Sequence, residues 1–242
     1  MNLSVDQFFD LSEFEHAALF DGLTHVWDAI PKIGAYIRGR FEADLQANGS
    51  TYSLPPTSIL RDEDLIFIGE GTTIEPGVYI EGPAIIGRNC ELRHGAYLRE
   101  NVILGDGAII GNSTELKNAV LMNHASAPHF AYVGDSLLGN RINLGAGTKL
   151  SNLAVTSKKD QESGKRPTIV LSIDGDKVDT GLTKFGAVLG DDVQLGCNCV
   201  TNPGCVIAPR TLVYALTSLP KGYYPADSII KMRQPIEIVP RT

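Results

Sequence analysis

From Ile68 onward the apolar positions keep a six-residue step. Large aliphatic residues stand at Ile68, Ile74, Ile80, Ile86, Leu92, Leu98, Leu104, Ile110, Leu116 and Met122. Small or β-branched residues follow four positions after each, at Thr72, Val78, Ala84, Cys90, Ala96, Val102, Ala108, Thr114, Val120 and Ser126. Glycine often follows the large residue, as in Ile68-Gly69, Ile86-Gly87, Leu104-Gly105 and Ile110-Gly111. An α-helical period cannot hold this register over so many steps, and a plain alternating strand needs no glycine at a fixed phase. The pattern predicts short strands joined by tight turns, each strand pointing one large and one small residue inward. The register slips between Met122 and Leu138. It resumes at Leu189, Leu195, Thr201, Ile207, Val213 and Leu219, with Val193, Cys199, Cys205, Thr211 and Thr217 as the small set. Thr201 is the weak member of the large set.

Residues 1–60 follow a different pattern. Phe14 to Gln46 shows helical spacing, for instance at Phe20, Leu23, Val26, Trp27 and Ile30, then Ile33, Tyr36 and Ile37. Pro31 is expected to end or kink one helix and begin another. Leu54-Pro55-Pro56 reads as a linker. The division expected is an N-terminal helical cap and linker over 1–60, lying over the open first coil, and a repeat domain over 61–242 with a C-terminal tail at 220–242. Covering an open coil end protects an unpaired sheet edge. Residues 156–183 interrupt the repeat. Within them Thr168 to Ile173, Asp174-Gly175 and Asp176 to Val178 predict a β-hairpin with an Asp-Gly turn. Such an insertion often reaches a ligand or a neighbouring subunit.

Composition narrows the classes. The net charge is −7, which disfavours nucleic acid and anionic membrane as partners. No uncharged apolar run is long enough to cross a bilayer, so no membrane span is expected, and the acidic N-terminal sequence is not read as a signal peptide. Four cysteines in 242 residues do not make a disulfide framework, and a reducing cytoplasm is the expected location. Cys90, Cys199 and Cys205 fall on inward small positions as buried hydrophobes. Cys197 and Cys199, on one face of an extended strand, are too few ligands for a metal site.

The hexad resembles that of the left-handed parallel β-helix proteins, in which three hexads make one triangular coil. The left-handed winding is implied by that resemblance and runs against the usual crossover rule. The fold expected is therefore mainly β, a left-handed parallel β-helix with an N-terminal helical cap and an inserted hairpin. From Leu92 to about Ala215 the likeness narrows. The chain reads Arg93-His94-Gly95-Ala96, Glu115-Leu116-Lys117-Asn118-Ala119, His129-Phe130-Ala131-Tyr132-Val133-Gly134-Asp135 and Asn143-Leu144-Gly145-Ala146-Gly147-Thr148. In this order the motifs resemble the acetyltransferase half of the bifunctional glucosamine-1-phosphate N-acetyltransferase / N-acetylglucosamine-1-phosphate uridylyltransferases. The hairpin resembles that of archaeal-type relatives. The resemblance implies an acetyl-CoA-dependent N-acetyltransferase of an amino-sugar 1-phosphate, serving UDP-N-acetylglucosamine biosynthesis. It implies His129 as general base, a role imidazole suits at neutral pH. It implies Arg93 and Lys117 as holders of the sugar phosphate, with Tyr132, Asn143 and Lys184 completing the sugar site. It implies Ala146, Asn152, Cys197 and Ala215 as the lining of the acetyl-CoA groove, no metal, and a homotrimer with sites between subunits and Lys184 or the hairpin reaching a neighbour. The pattern departs at His94 in place of proline, at Leu153 in place of tyrosine and at Cys197 in place of serine. Residues 1–60 hold no Gly-rich nucleotide loop, so a uridylyltransferase step is not expected of this chain.

Two other readings use the same repeat. A γ-carbonic-anhydrase-like metalloenzyme would use His124 and His129, five apart, with His94 as third ligand. From His94 to His124 is five hexads, which is not a whole number of three-hexad coils, so the ligands should not converge. A non-catalytic scaffold subunit needs only the solenoid.

Overall fold

The structure is a computed structural model and describes residues 3–45, 52–233 and 237–240. Gln46, the expected end of the helical stretch, and the two residues at each chain end lie outside them. From Ile59 to Ile230 the chain winds as a parallel β-helix, a three-sided prism with eight strands stacked on each face. The first face is paired through Tyr79, Tyr97, Glu115, Tyr132, Lys149 and Val200. The second is paired through Ile85, Ile103, Val120, Leu137, Val188 and Val206. The third is paired through Glu91, Ile109, Ser126, Asn143, Gln194 and Leu212.

The interior is the large and small pair of each hexad. Ile80, Leu92, Leu98, Leu104, Ile110 and Leu116 are wholly buried there, with Val78, Ala84, Cys90, Ala96 and Ala108 as their small partners. The recurring glycine has a steric cause at the corner between the second and third faces. A Cβ on Gly69 would lie 2.6 Å from the backbone of Gly87, and one on Gly87 would lie 2.7 Å from Gly105. Successive coils pass too closely there for any side chain.

The sequence register fails at Val120, Met122 and Ser126. Glu91 pairs with Ile109, three full hexads on, but Ile109 pairs with Ser126 one residue sooner than three hexads would place it, and Tyr132 pairs with Lys149 in the same shortened way. The lost residues are at one corner, between the first and second faces, where Asn118 and Asp135 turn the chain in the left-handed region at φ 46°. Strands Glu115–Leu121 and Tyr132–Leu138 therefore run around that corner without a break. Period-two alternation inverts on a one-residue slip. Ala119, Leu121, Ala125 and Ala127 face inward, and Val120 and Met122 face outward into a second apolar cluster.

That second cluster is where the N-terminal segment lies. It docks along the second face, not over the first coil. The outward side chains of Ile85, Ile103, Val120, Leu137, Val188 and Val206 meet Phe8, Trp27, Ile30, Ile33 and Ile37. A face eight strands tall offers far more apolar area than one coil end. Each large side chain fully buried there contributes about 1.5–3 kcal/mol. Polar pins fix the docking. Asp191 accepts from the amides of Asp10 and Asn140, at 2.8 and 2.7 Å, and its own amide donates to the Phe8 carbonyl. Asn140 and Asn123 donate side-chain N–H to the carbonyls of Asp10 and Glu13. The helical run is shorter than its periodicity predicts. Val26–Lys32 is 3-10 helix containing Pro31, and Ile33–Ala43 is α-helix, so proline marks a change of winding. Among the described residues no helix is long and apolar enough to cross a membrane.

The inserted hairpin forms as expected. Val170–Ile173 pairs antiparallel with Asp176–Asp179, and Asp174 and Gly175 turn at φ 52° and 89°. It lies down on its own chain: Leu171 and Ile173 join the second-face cluster. The side of the hairpin that carries Leu171 and Ile173 is therefore packed against the prism.

Candidate active site

The corner between the third and first faces carries one column of outward positions. In successive coils these are His94, Asn112, His129, Ala146, Cys197 and Ala215. Backbone bonds fix the stacking. Asn112 pairs with His129, the Gly147 amide donates to the His129 carbonyl, that of Asn198 to Ala146, and that of Leu216 to Cys197. His129 ends the strand Ser126–His129 and is exposed, as is Cys197. Neighbouring strands are about 4.8 Å apart, so Ala215 stands roughly 14 Å above His129. Three of the four residues expected to line a cofactor groove, Ala146, Cys197 and Ala215, therefore form a straight track with His129 at its foot. Cys199 points inward, because Asn198 between the two cysteines turns at φ 55°, so Cys197 and Cys199 do not share a face. Burial pushes the Cys90 thiol up to about 11 and that of Cys205 to about 12, as inert interior thiols.

The corner between the first and second faces holds a different set. Lys117 stacks one coil above Arg99, and Glu100 lies 3.6 Å from the Lys117 Nζ and 3.8 Å from the Arg99 Nε. Arg99 Nη1 also donates to Glu115 at 3.1 Å. Above them Asp135 is buried and accepts from the side-chain amides of Asn118 at 2.9 Å and Asn152 at 2.5 Å. The Tyr132 hydroxyl, on the first face, donates to Asn152 Oδ1 at 3.4 Å, and burial raises its phenol. The insertion leaves the coil after Asn152 and returns beside it, where the Phe185 amide donates to the Asn152 carbonyl, which brings exposed Lys184 to the same corner. Asn152 thus belongs with this set, away from the cofactor track.

One chain does not gather all the expected residues. His129 and the Lys117 set occupy opposite edges of the first face, and Asn143 stands on the third face between Ser126 and Gln194. Arg93 is not beside Lys117. It lies at the His129 corner, two coils below, with its guanidinium on Glu91 at 2.7 and 3.1 Å. Arg99 is the arginine that the fold brings to Lys117. The signal for it was spacing: Arg99 precedes Lys117 by three hexads, one full coil, whereas Arg93 precedes it by four. The three histidines do not converge either. His124 turns the corner between the second and third faces, beside Asp106 and Arg141, and His94 lies two coils below His129. Among the described residues no group of three or more His, Cys, Asp or Glu could hold a metal ion.

Comparison with known proteins agrees with the repeat. A family model described as the GMPPB C-terminal domain matches residues 80–181. A bifunctional sugar-1-phosphate nucleotidylyltransferase/acetyltransferase of Sulfurisphaera tokodaii is 34% identical over 181 residues, covering 66% of this chain and 43% of that protein. The bifunctional protein GlmU of Methanococcus vannielii is 35% identical over 120 residues, covering 50% of this chain and 27% of that one. The chain therefore spans less than half the length of these curated relatives. Among solved structures, a polySia-specific acetyltransferase overlaps at a TM-score of 0.46 and 10% identity, covering 74% of this chain and 91% of that one. With its parallel β-helix coils and these sequence matches, the chain resembles the acetyltransferase part of the bifunctional sugar-1-phosphate enzymes.

Proposed function

We propose that this protein is an acetyl-CoA-dependent N-acetyltransferase acting on an amino-sugar 1-phosphate, and that its site forms between copies of a homotrimer. The observation that carries this reading is the His129–Ala146–Cys197–Ala215 column: an exposed imidazole at the foot of a narrow track of small side chains, where an extended thioester arm can lie. The acceptor amine nitrogen attacks the thioester carbonyl carbon. The C–N bond forms, the C–S bond breaks, His129 takes the amine proton, and the departing thiolate is protonated to free CoA. A positioned base of this kind contributes about 10²–10⁴-fold.

An anionic acceptor needs fixed cations. Arg99, Lys117 and Lys184 supply them at the other edge of the first face, with Tyr132 and Asn152 beside them. A cyclic trimer joins two different patches at each contact, so the His129 corner of one copy can meet the Lys117 corner of the next. The second face is already covered by the chain's own N-terminal segment and hairpin, which leaves the first and third faces for that contact.

The test is CoA release from acetyl-CoA with glucosamine 1-phosphate. Activity of His129→Ala is expected to fall about 10²-fold or more. Mixing His129→Ala with Lys117→Ala subunits is expected to restore part of the activity, because some contacts then hold one intact corner from each copy. Turnover indifferent to His129 would discard the base, and failure with every amino-sugar phosphate would leave a scaffold.

A further inference from the structure

Phe130 follows His129 and has no role in the fold that explains it. The residue is 50% exposed, so it is not core. Its backbone sits in the left-handed region at φ 35°, where the equivalent corners of neighbouring coils use Gly95, Ser113, Gly147 and Asn198. A bulky residue there costs about 1–2 kcal/mol. The conformation is held from both sides. The Phe130 amide donates to the Asn112 carbonyl at 2.7 Å, and its carbonyl accepts from Lys149 Nζ at 3.0 Å. The same ammonium donates to the Gly147 carbonyl at 2.8 Å, which ties the two coils together.

The direction of the ring is informative. A Cβ built on Gly147 would lie 3.3 Å from its edge, so the ring rests against the coil above His129. That coil carries Ala146, the first small residue of the track. The rings of His129 and Phe130 have centroids 6.5 Å apart and are inclined to one another at 50°. An apolar wall therefore stands beside the base at the lower end of the track, where the acyl group of the thioester would lie.

We infer that Phe130 is a specificity-determining residue that closes the acyl end of the track and limits the transferred group to acetyl. The inference rests on the proposed transferase reading. Small apolar pockets discriminate about 10–200-fold per methylene.

Initial rates with acetyl-, propionyl- and butyryl-CoA, at one fixed acceptor, test it in the full-length protein. Wild type is expected to prefer acetyl over butyryl by about 100-fold or more. Phe130→Gly, which suits the left-handed corner and so retains the fold, is expected to lower that ratio at least about tenfold, with Phe130→Leu between. A ratio within about twofold of wild type in Phe130→Gly would overturn the wall while leaving the transferase standing. Absence of turnover with every acyl-CoA in wild type would overturn the transferase, and the wall with it.

Discussion

Replacing Thr201 by valine should stabilise the protein. Thr201 takes a large inward position, fully buried, in register between Leu150 below and Leu219 above. Its hydroxyl has no hydrogen-bond partner. The other interior threonines show why. Thr72, Thr114, Thr148, Thr211 and Thr217 occupy small positions next to a corner, and from there each hydroxyl reaches a backbone carbonyl at 2.6–3.0 Å. Mid-strand, at the large position, the carbonyls are engaged in the ladder between coils. An unpaired buried hydroxyl costs about 1–3 kcal/mol, and valine keeps the shape while exchanging that group for a methyl. Thr201→Val should therefore gain about 1–3 kcal/mol, which in a chain of this size raises Tm by roughly 2–10 °C. Scanning calorimetry reads the shift. Thr148→Val is the control and should move the other way, by about 1 kcal/mol, since it removes a made hydrogen bond. A Thr201→Val protein no more stable than wild type would mean that the hydroxyl is paired in solution, and the distinction between corner and mid-strand threonines would fall.

Two further outcomes follow from electrostatics. His16 is buried against Tyr36 and Arg40, each 3.1 Å from its Nδ1, and desolvation lowers its pKa from 6.5 to about 4. The unfolded chain binds that proton more readily, so stability present above pH 6.5 should decline as pH falls toward 4, by about 3 kcal/mol in all, and His16→Gln should flatten this part of a denaturation series. At the candidate site, Arg99→Ala should raise the KM for the amino-sugar phosphate about tenfold or more while Arg93→Ala changes it less than about twofold; the reverse order would return the phosphate to the Arg93 corner.

The fold was legible because its rule is local. A six-residue step with glycine at a fixed phase admits few structures, and Leu92, Leu104 and Ile207 stand where it puts them. What the step could not convey was a coil one residue short. Val120 and Met122 are as apolar as Ala119 and Leu121, so both registers look satisfied in the sequence; only the docked N-terminal segment, which gives the outward pair something to meet, makes the alternative register favourable. The position of that segment was equally hidden, because amphipathic spacing in Ile33 and Ile37 says that a face is buried and not against what. At the site, motif order brought the His129 column and Lys117 into view. Arg93 was read from a short motif that does not count coils, and the structure sets it at the His129 corner. Measured in coils, Arg99 is the residue beneath Lys117.

The short coils and the candidate site are one feature. Each deletion turns the corner on a single left-handed residue, Asn118 and then Asp135, and so stacks the one directly on the other. The next residue at the same spacing is Asn152, so an amide, a carboxylate and an amide fall in line and bond to one another. With both amides donating to it, the buried Asp135 carboxylate has its charge satisfied inside the corner, away from any anion that approaches. The same ladder ends where the insertion leaves and returns, so its closure sets the position of Lys184. A full hexad at either corner would shift the ladder by one residue, point Asn118 or Asp135 elsewhere and turn Val120 or Leu137 inward. The cost of the shorter corner is thus offset twice, by the second-face cluster on one side and by the polar ladder on the other. Neither could be kept if the coil returned to three full hexads.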